Sequence, residues 1–351
     1  MYQDTIIAAA GVAQAIPGDP FVRLMSGDDL NRADAETLFG ALVRGELNEA
    51  AIAALLVSLR SKGETVEELT GAAFALQTAA VPFDRPDYLF ADSCGTGADG
   101  SGTINVSTAV AFVAAACGLP IAKHGNRSVT SRCGSADVLE AMGAQIDVTP
   151  EKSRRMLDEI GLCFLFAPSY HPGLRHAGPV RRQLKVRTIM NFLGPCLNPA
   201  HPPVQLLGVA DAAKLEPVAR TLSALGVRDA LVVHGGGLDE IALHADTHAV
   251  RLADGRIDHQ VIRPEDAGLD RAPIDQIRGG EPDVNADRLR ALLAGRASEA
   301  ERSMVVLNAA ALLHTAGLAQ SLKDGAVLAS DALASRAAAQ VATRFIEASN
   351  D

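Results

Sequence analysis

Between residues 29 and 80 the apolar side chains Ala, Leu and Val recur at steps of three and four with charged residues between them, the spacing of helices that bury one face. Short turns divide the run. Gly45, Glu46 and Leu47 separate the first pair of helices, Ser61, Lys62 and Gly63 end the next, and Thr65 with Glu68 three residues on forms a capping box for another. Pro82, Pro86 and Asp87 mark a linker, and beyond it the period changes. Apolar runs at residues 88–93, 120–123, 145–148 and 163–166 have strand length, and helical patterns at 107–117, 135–142 and 150–160 alternate with them. Such alternation predicts a parallel sheet. Thr149, Pro150 and Gly161 supply N-cap, first-turn proline and C-cap for the third of these helices. Residues 168–203 interrupt the alternation with prolines and basic residues; a strand at 204–209, a helix through Leu225 and a strand at 230–234 resume it. A strand pair is expected beyond Asp246 and a largely helical tail over 285–349. The chain therefore reads as α/β. A small N-terminal helical domain, residues 1–84 joined by part of 174–200, precedes a large α/β domain, residues 85–351, with a mainly parallel central sheet and a helical C-terminal tail.

Composition narrows the function. With 351 residues and 48% hydrophobic content the chain can bury a sizeable core. Its net charge of -10 opposes a nucleic-acid footprint, and the absence of Trp with 4% aromatic content opposes base-stacking platforms. Five cysteines without CxxC spacing read as reduced thiols of a cytoplasmic protein. The apolar stretch Ile6 to Ile16 lacks a positive n-region, and no segment offers eighteen uninterrupted apolar residues, so neither a signal nor a membrane span is expected.

Two glycine-rich turns carry the candidate chemistry. The first runs Gly95, Thr96, Gly97, Ala98, Asp99, Gly100 and leads through Thr103 into Asn105, Val106, Ser107 and Thr108 at a helix start. The second runs Lys123, His124, Gly125, Asn126, Arg127, Ser128 and passes Arg132, Gly134 and Ser135 into another helix. Glycine lets backbone approach an anion, and a helix start supplies free amides and a positive dipole end. Two such turns imply a ligand with more than one phosphate. A dinucleotide site would need an acidic residue about twenty positions after the first glycines, where this chain has Lys123 and His124. Ser107 or Thr108 is placed to cap its helix and also to meet a phosphate or metal ion. Lys123, His124, Arg127 and Arg132 put four potential cations within one short stretch. Further on, a flexible turn at Gly235, Gly236 and Gly237 precedes Leu238, Asp239 and Glu240, and adjacent carboxylates suit magnesium. One guanidinium among Arg175, Arg181, Arg182 and Arg187, near His171, could clamp a carboxylate, and periodicity does not choose which.

These segments, taken in order, resemble the anthranilate phosphoribosyltransferase family over nearly the whole chain. The likeness rests on residues 92–100, 105–108, 123–128, 164–168, 180–181, 191–195 and 237–240, with 45–47, 62–65, 279–280 and 308–310 as further matches. It implies transfer of a phosphoribosyl group from phosphoribosyl pyrophosphate to the amine of anthranilate. By this resemblance Gly95, Ala98, Asp99, Thr103, Asn105, Val106, Ser107, Thr108, Lys123, His124, Gly125, Asn126, Arg127, Ser128, Val129, Thr130, Ser131 and Ser135 hold the donor. Gly95, Asn126, His171 and Arg181 meet anthranilate, while Ser107, Asp239 and Glu240 hold Mg2+ as the cofactor. No general base is assigned, and a homodimer joined through the helical domains is implied. Ala98 departs from the family pattern, which has a third loop glycine, and needs a negative φ. Two alternatives share the fold: a pyrimidine nucleoside phosphorylase-like enzyme and a non-catalytic nucleic-acid-binding relative.

Overall fold

The computed structural model of the chain describes residues 19–97, 99–128 and 131–351. Ala98, Val129, Thr130 and the apolar stretch Ile6 to Ile16 lie outside the described residues. The chain divides into two compact units, one made of residues up to Val81 with Pro168–Leu197, the other of Pro82–Ala167 with Asn198–Asp351.

The first unit is helical. It contains α1 (Pro20–Met25), α2 (Arg32–Val43), α3 (Glu49–Lys62) and α4 (Val66–Thr78), with α2 packed on α4 and α1 on α3. Asn31, Asn48 and Thr65 cap α2, α3 and α4, and the expected capping box between Thr65 and Glu68 is formed. Glu68 is fully buried and accepts from Leu30 N and Thr65 N at 2.9 Å and from Lys62 Nζ at 2.7 Å. Residues 168–197 add short helical turns, of which Gly178–Leu184 packs on α3.

In the second unit a sheet of seven strands carries β1 (Ala91–Gly95), β2 (Ile121–Gly125), β3 (Leu162–Phe166), β4 (Val204–Gly208), β5 (Asp229–Gly235), β6 (Thr247–Ala253) and β7 (Arg256–Ile262). The order is β3-β2-β1-β4-β5-β6-β7, with β1 to β5 parallel and β6 and β7 antiparallel. The parallel strands are buried along most of their length because helices cover both faces, and they carry polar residues such as Asp92, Ser93, Lys123, His124 and Gln205 into the interior. Those helices are α5 (Val106–Ala116), α6 (Ser135–Ala141), α7 (Pro150–Ile160), α8 (Leu215–Ala224), α9 (Pro282–Leu293), α10 (Glu299–Thr315), α11 (Leu322–Ala334) and α12 (Ala337–Asn350). Thr149, Pro150 and Gly161 cap α7 as expected, with Gly161 left-handed at φ 78°.

One expected strand is absent. Residues 145–148 alternate in burial, but they pair with none of the seven strands. Their backbone turns to α12 instead, where Gln145 N donates to Ser349 Oγ at 3.0 Å. A period of two reports half-buried extended chain, and pairing is a separate, non-local condition.

From β1 the chain steps outward to β2 and β3 on one side, and from β4 to β5 on the other. The order reverses between β1 and β4. In open parallel sheets the crevice at the carboxyl ends of such a strand pair is where ligands bind.

Candidate active site

Gly95, Gly125, Gly208 and Gly235 end β1, β2, β4 and β5, so four of the five parallel strands finish without a side chain, and β3 ends in Phe166. Close approach explains the central two. A Cβ on Gly95 would stand 2.3 Å from Asp239 Oδ2, and one on Gly208 would stand 1.6 Å from the Asp239 carbonyl oxygen. Asp239 thus lies across the ends of the two strands where the order reverses. Its Oδ2 accepts from Gly97 N at 2.6 Å, tying the carboxylate to the first glycine loop across 142 residues of sequence.

The turn before Asp239 is tight, in contrast to the flexible turn expected from three successive glycines. Gly235 and Leu238 exchange both backbone bonds at 3.0 Å, with Gly236 and Gly237 at φ 57° and 94°, a conformation glycine adopts without strain. On the other side, fully buried Asn308 of α10 accepts from Ile241 N and donates to Ile241 O, both at 2.9 Å. Both flanks of the Asp239–Glu240 pair are therefore clamped. Burial, then the neighbouring Asp99 charge, pushes the Asp239 carboxyl up to about 7. Burial and Asp239 hold Glu240 well above the carboxylate range, opposed by Lys123 and the Ser107 amide.

Helix α5 starts two residues earlier than a Ser107 cap requires and three earlier than a Thr108 cap. Asn105 is the N-cap, and it makes no side-chain cap bond. Its amide donates instead to Cys133 O at 3.1 Å. Ser107 accepts from Lys123 Nζ at 3.2 Å, while Val106 and Thr108 are buried, and the Thr108 hydroxyl has no hydrogen-bond partner among the described residues. Asp99 accepts from Ser101 N at 3.0 Å and Ser101 Oγ at 2.8 Å, which satisfies a carboxylate that would otherwise repel an anion. Thr103 bridges antiparallel to Arg278.

The four basic residues of the second loop are not equivalent. Lys123, only 3% exposed, donates to Ser93 O at 2.5 Å beside Ser107. His124, the next strand residue, faces the other side of the sheet and is buried, and its N–H donates to Asp92 Oδ1 at 3.3 Å. Arg127 is ion-paired with Glu140 and Asp137 and stacks over Phe166 at 5.6 Å. Arg132 is exposed. Ser128 Oγ bonds Ser131, Ser128 N donates to Asp137 Oδ2 at 3.0 Å, and Ser135 Oγ donates to Asn126 O at 3.2 Å. Gly125 gives Ser135 room, since a Cβ there would stand 2.4 Å from Ser135 Oγ.

Among the expected site residues, those of the two loops and the Asp239–Glu240 pair belong to the α/β unit, and His171 and Arg181 to the helical unit. Arg181 sits on the Gly178–Leu184 helix, half-buried, with its pKa lowered by burial and no ion-pair partner among the described residues. Several supporting residues escaped sequence reasoning. Asn198 donates to Asp92 Oδ2 at 2.9 Å and to Ala122 O at 2.8 Å, binding β1 to β2 beneath the loops. Asn285 and Gly208 are likewise single residues far along the chain, and only their place beside the loops in space marks them.

A crevice at the strand reversal, lined by two glycine loops and an acidic pair, defines a nucleotide- or sugar-phosphate-handling enzyme of the α/β class. Comparison with known proteins sharpens this. The glycosyl transferase family's a/b domain matches residues 87–339, and that family's helical bundle domain matches residues 21–80. The anthranilate phosphoribosyltransferase of Sorangium cellulosum is 58% identical over 328 residues, covering 93% of this chain and 94% of its own. That of Aeromonas hydrophila is 50% identical over 322 residues, covering 92% and 94%. Among solved structures, the anthranilate phosphoribosyltransferase of Thermus thermophilus superposes with a TM-score of 0.91 at 40% identity, covering 95% of this chain and 100% of its own. The Saccharomyces cerevisiae enzyme in complex with PRPP and Mg gives 0.87 at 25% identity, covering 94% and 96%. The chain belongs to the glycosyl transferase family and, within it, to the anthranilate phosphoribosyltransferases. It is a pentosyltransferase.

Proposed function

We propose that this enzyme holds phosphoribosyl pyrophosphate across the carboxyl ends of β1 and β4. Gly95, Asp99, Thr103, residues 105–108, residues 123–128, Ser131 and Ser135 are its contacts, together with Ala98, Val129 and Thr130. The observation that carries the reading is the Asp239 carboxylate, seated over two side-chain-free strand ends and bonded to Gly97 N. The cognate relative from yeast was solved with PRPP and Mg, which supports the same donor here.

Ser107, Asp239 and Glu240 fit magnesium. The donor set is oxygen only, and the two carboxyls are held high by burial and by neighbouring negative charge, Asp99 beside Asp239 and Asp239 beside Glu240, a cost that a dication removes. Among the described residues no three His, Cys, Asp or Glu side chains converge as a complete cage. Magnesium draws much of its shell from waters and phosphate oxygens, so two carboxylates suffice. When bound, the ion would neutralise charge developing on the leaving pyrophosphate.

Gly95, Asn126, His171 and Arg181 serve anthranilate, with Arg181 taking its carboxylate. An unpaired guanidinium made less costly by a bound anion supports that role. The amine lone pair attacks the anomeric carbon as its bond to the pyrophosphate oxygen breaks, and the ring passes through a ribosyl cation-like transition state. Loop amides and Lys123 stabilise the departing charge. Nitrogen loses its proton after the new bond forms, when the arylammonium is acidic enough for water to accept it, so no general base is needed. The helical unit carries the dimer contact in this reading, supported by exposed Met25, Val57 and Phe74. The five free cysteines support a cytoplasmic setting.

The test follows anthranilate fluorescence with donor and magnesium. Asp239→Asn with Glu240→Gln should lower kcat roughly a hundredfold or more with the fold retained by circular dichroism. An unchanged magnesium-dependent rate would remove the metal assignment. Arg181→Ala should raise the KM for anthranilate roughly tenfold and leave that for the donor within about twofold. Equal effects on both would make Arg181 structural.

A further inference from the structure

Asn285, in the first turns of α9, is buried at 3% exposure. Its side chain lies between two elements that are distant in sequence. Gly280 N donates to Asn285 Oδ1 at 2.7 Å, Asn285 Nδ2 donates to Asn105 Oδ1 at 2.9 Å, and Asn105 Nδ2 donates to Cys133 O at 3.1 Å. The chain of bonds thus runs from the segment before α9, through the cap of α5, into the second glycine loop.

Its polarity is set at both ends. A backbone N–H can only donate and a carbonyl can only accept, so Gly280 forces the Asn285 oxygen one way and Cys133 forces the Asn105 nitrogen the other. The surroundings are built around this side chain. A Cβ on Gly279 would stand 2.8 Å from Asn285 Oδ1 and 2.7 Å from Thr103 O, and Gly279 N donates to Gly102 O at 2.7 Å. Ile104 N donates to Ile277 O at 3.0 Å, which completes a short ladder between residues 277–279 and the stretch that carries Thr103 and Asn105.

We infer that Asn285 is a positioning residue for the donor: it locks the two glycine loops at one separation through Asn105, so that both ends of phosphoribosyl pyrophosphate are gripped together. The inference rests on the donor site proposed above. Asn285 itself has no place among the donor contacts and acts through Asn105 and Cys133. Ordering two loops before binding lowers the entropic cost of ordering them during binding.

Asn285→Asp is the sharp variant because it keeps the shape and removes the donor. Its carboxylate still accepts from Gly280 N, but it then faces Asn105 Oδ1. Turning the Asn105 amide over relieves that contact only by setting its oxygen against Cys133 O. Either way two acceptors oppose each other. Binding of phosphoribosyl pyrophosphate with magnesium is measured by calorimetry, and both KM values by fluorescence, for the wild type, Asn285→Asp and Asn285→Ala. The expected result is donor affinity weakened roughly tenfold or more in both variants, with the anthranilate KM within about twofold of wild type. Wild-type donor affinity in a folded Asn285→Asp protein would overturn the inference, as would equal losses for both substrates. Failure of both variants to fold would make Asn285 a folding residue and overturn it too. If the wild type itself binds no donor, the proposed donor site fails, and this result is distinct from all the others.

Discussion

At Gly208 a single missing methyl group decides whether the site can form. Its would-be Cβ position is 1.6 Å from a backbone carbonyl, which no side-chain rotation can relieve. Gly208→Ala is expected to lose activity and to cost about 3 kcal/mol in urea unfolding, because the Asp239 segment must be displaced. A fully active, equally stable variant would contradict the close approach. Asp239 makes a second prediction at this scale. Its carboxyl titrates near 7 in the folded chain and about 4 when unfolded, so between those values the folded state holds a proton that the unfolded state has released. Stability from this group therefore falls as pH rises through that window. Metal-free wild type should lose more melting temperature between about pH 6 and pH 8 than Asp239→Asn with Glu240→Gln, and magnesium at the higher pH should restore part of the loss. Identical losses in the two proteins would contradict the raised pKa.

Elements of secondary structure owe their ends to side chains as much as to periodicity. In α4, Glu68 closes the capping box and also takes the Leu30 amide and the Lys62 ammonium, so one carboxylate joins three segments of the helical unit. Removing it leaves Lys62, itself mostly buried, without that partner. Glu68→Ala should destabilise the protein by about 3 kcal/mol, read by thermal melting, while donor affinity in the remaining folded protein is unchanged. Helix α5 differs, since the residue at its cap spends its amide on the second loop and leaves the first turn's N–H groups for other acceptors. Strand ends follow a similar rule: glycine terminates β1, β2, β4 and β5, where loops cross the sheet edge closely.

Across the whole molecule the chain passes between the helical and α/β units at residues 81–82, 167–168 and 197–198, so neither unit is one continuous stretch. Light scattering on the purified protein should give twice the chain mass, and replacing Met25 and Val57 of the helical unit by Asp should halve it; a monomeric wild type would remove the dimer reading. Much of this architecture is legible in the residues alone. Steps of three and four mark the helices, Thr65 with Glu68 and Thr149 with Gly161 mark their ends, and the ordered glycine loops with Asp239 and Glu240 carry the family likeness. These signals are local, because a helix period, a cap or a tight turn is satisfied within a few residues of chain. Pairing lies beyond their reach. The alternation at residues 145–148 predicts a strand, although these residues pair with no strand of the sheet, and Ser107 and Thr108 have the chemistry of a cap whose place Asn105 takes. Arg127 has the charge to meet a phosphate, yet Glu140 and Asp137 hold it. Asn285 and Asn198 carry no local pattern at all. The elements, their ends and the chemistry available to the chain follow from its residues, since each depends on near neighbours. That Asp239 rests over Gly95, and that Asn285 reaches Asn105, follows from the packed fold alone, because those contacts exist only after segments more than a hundred residues apart have come into register.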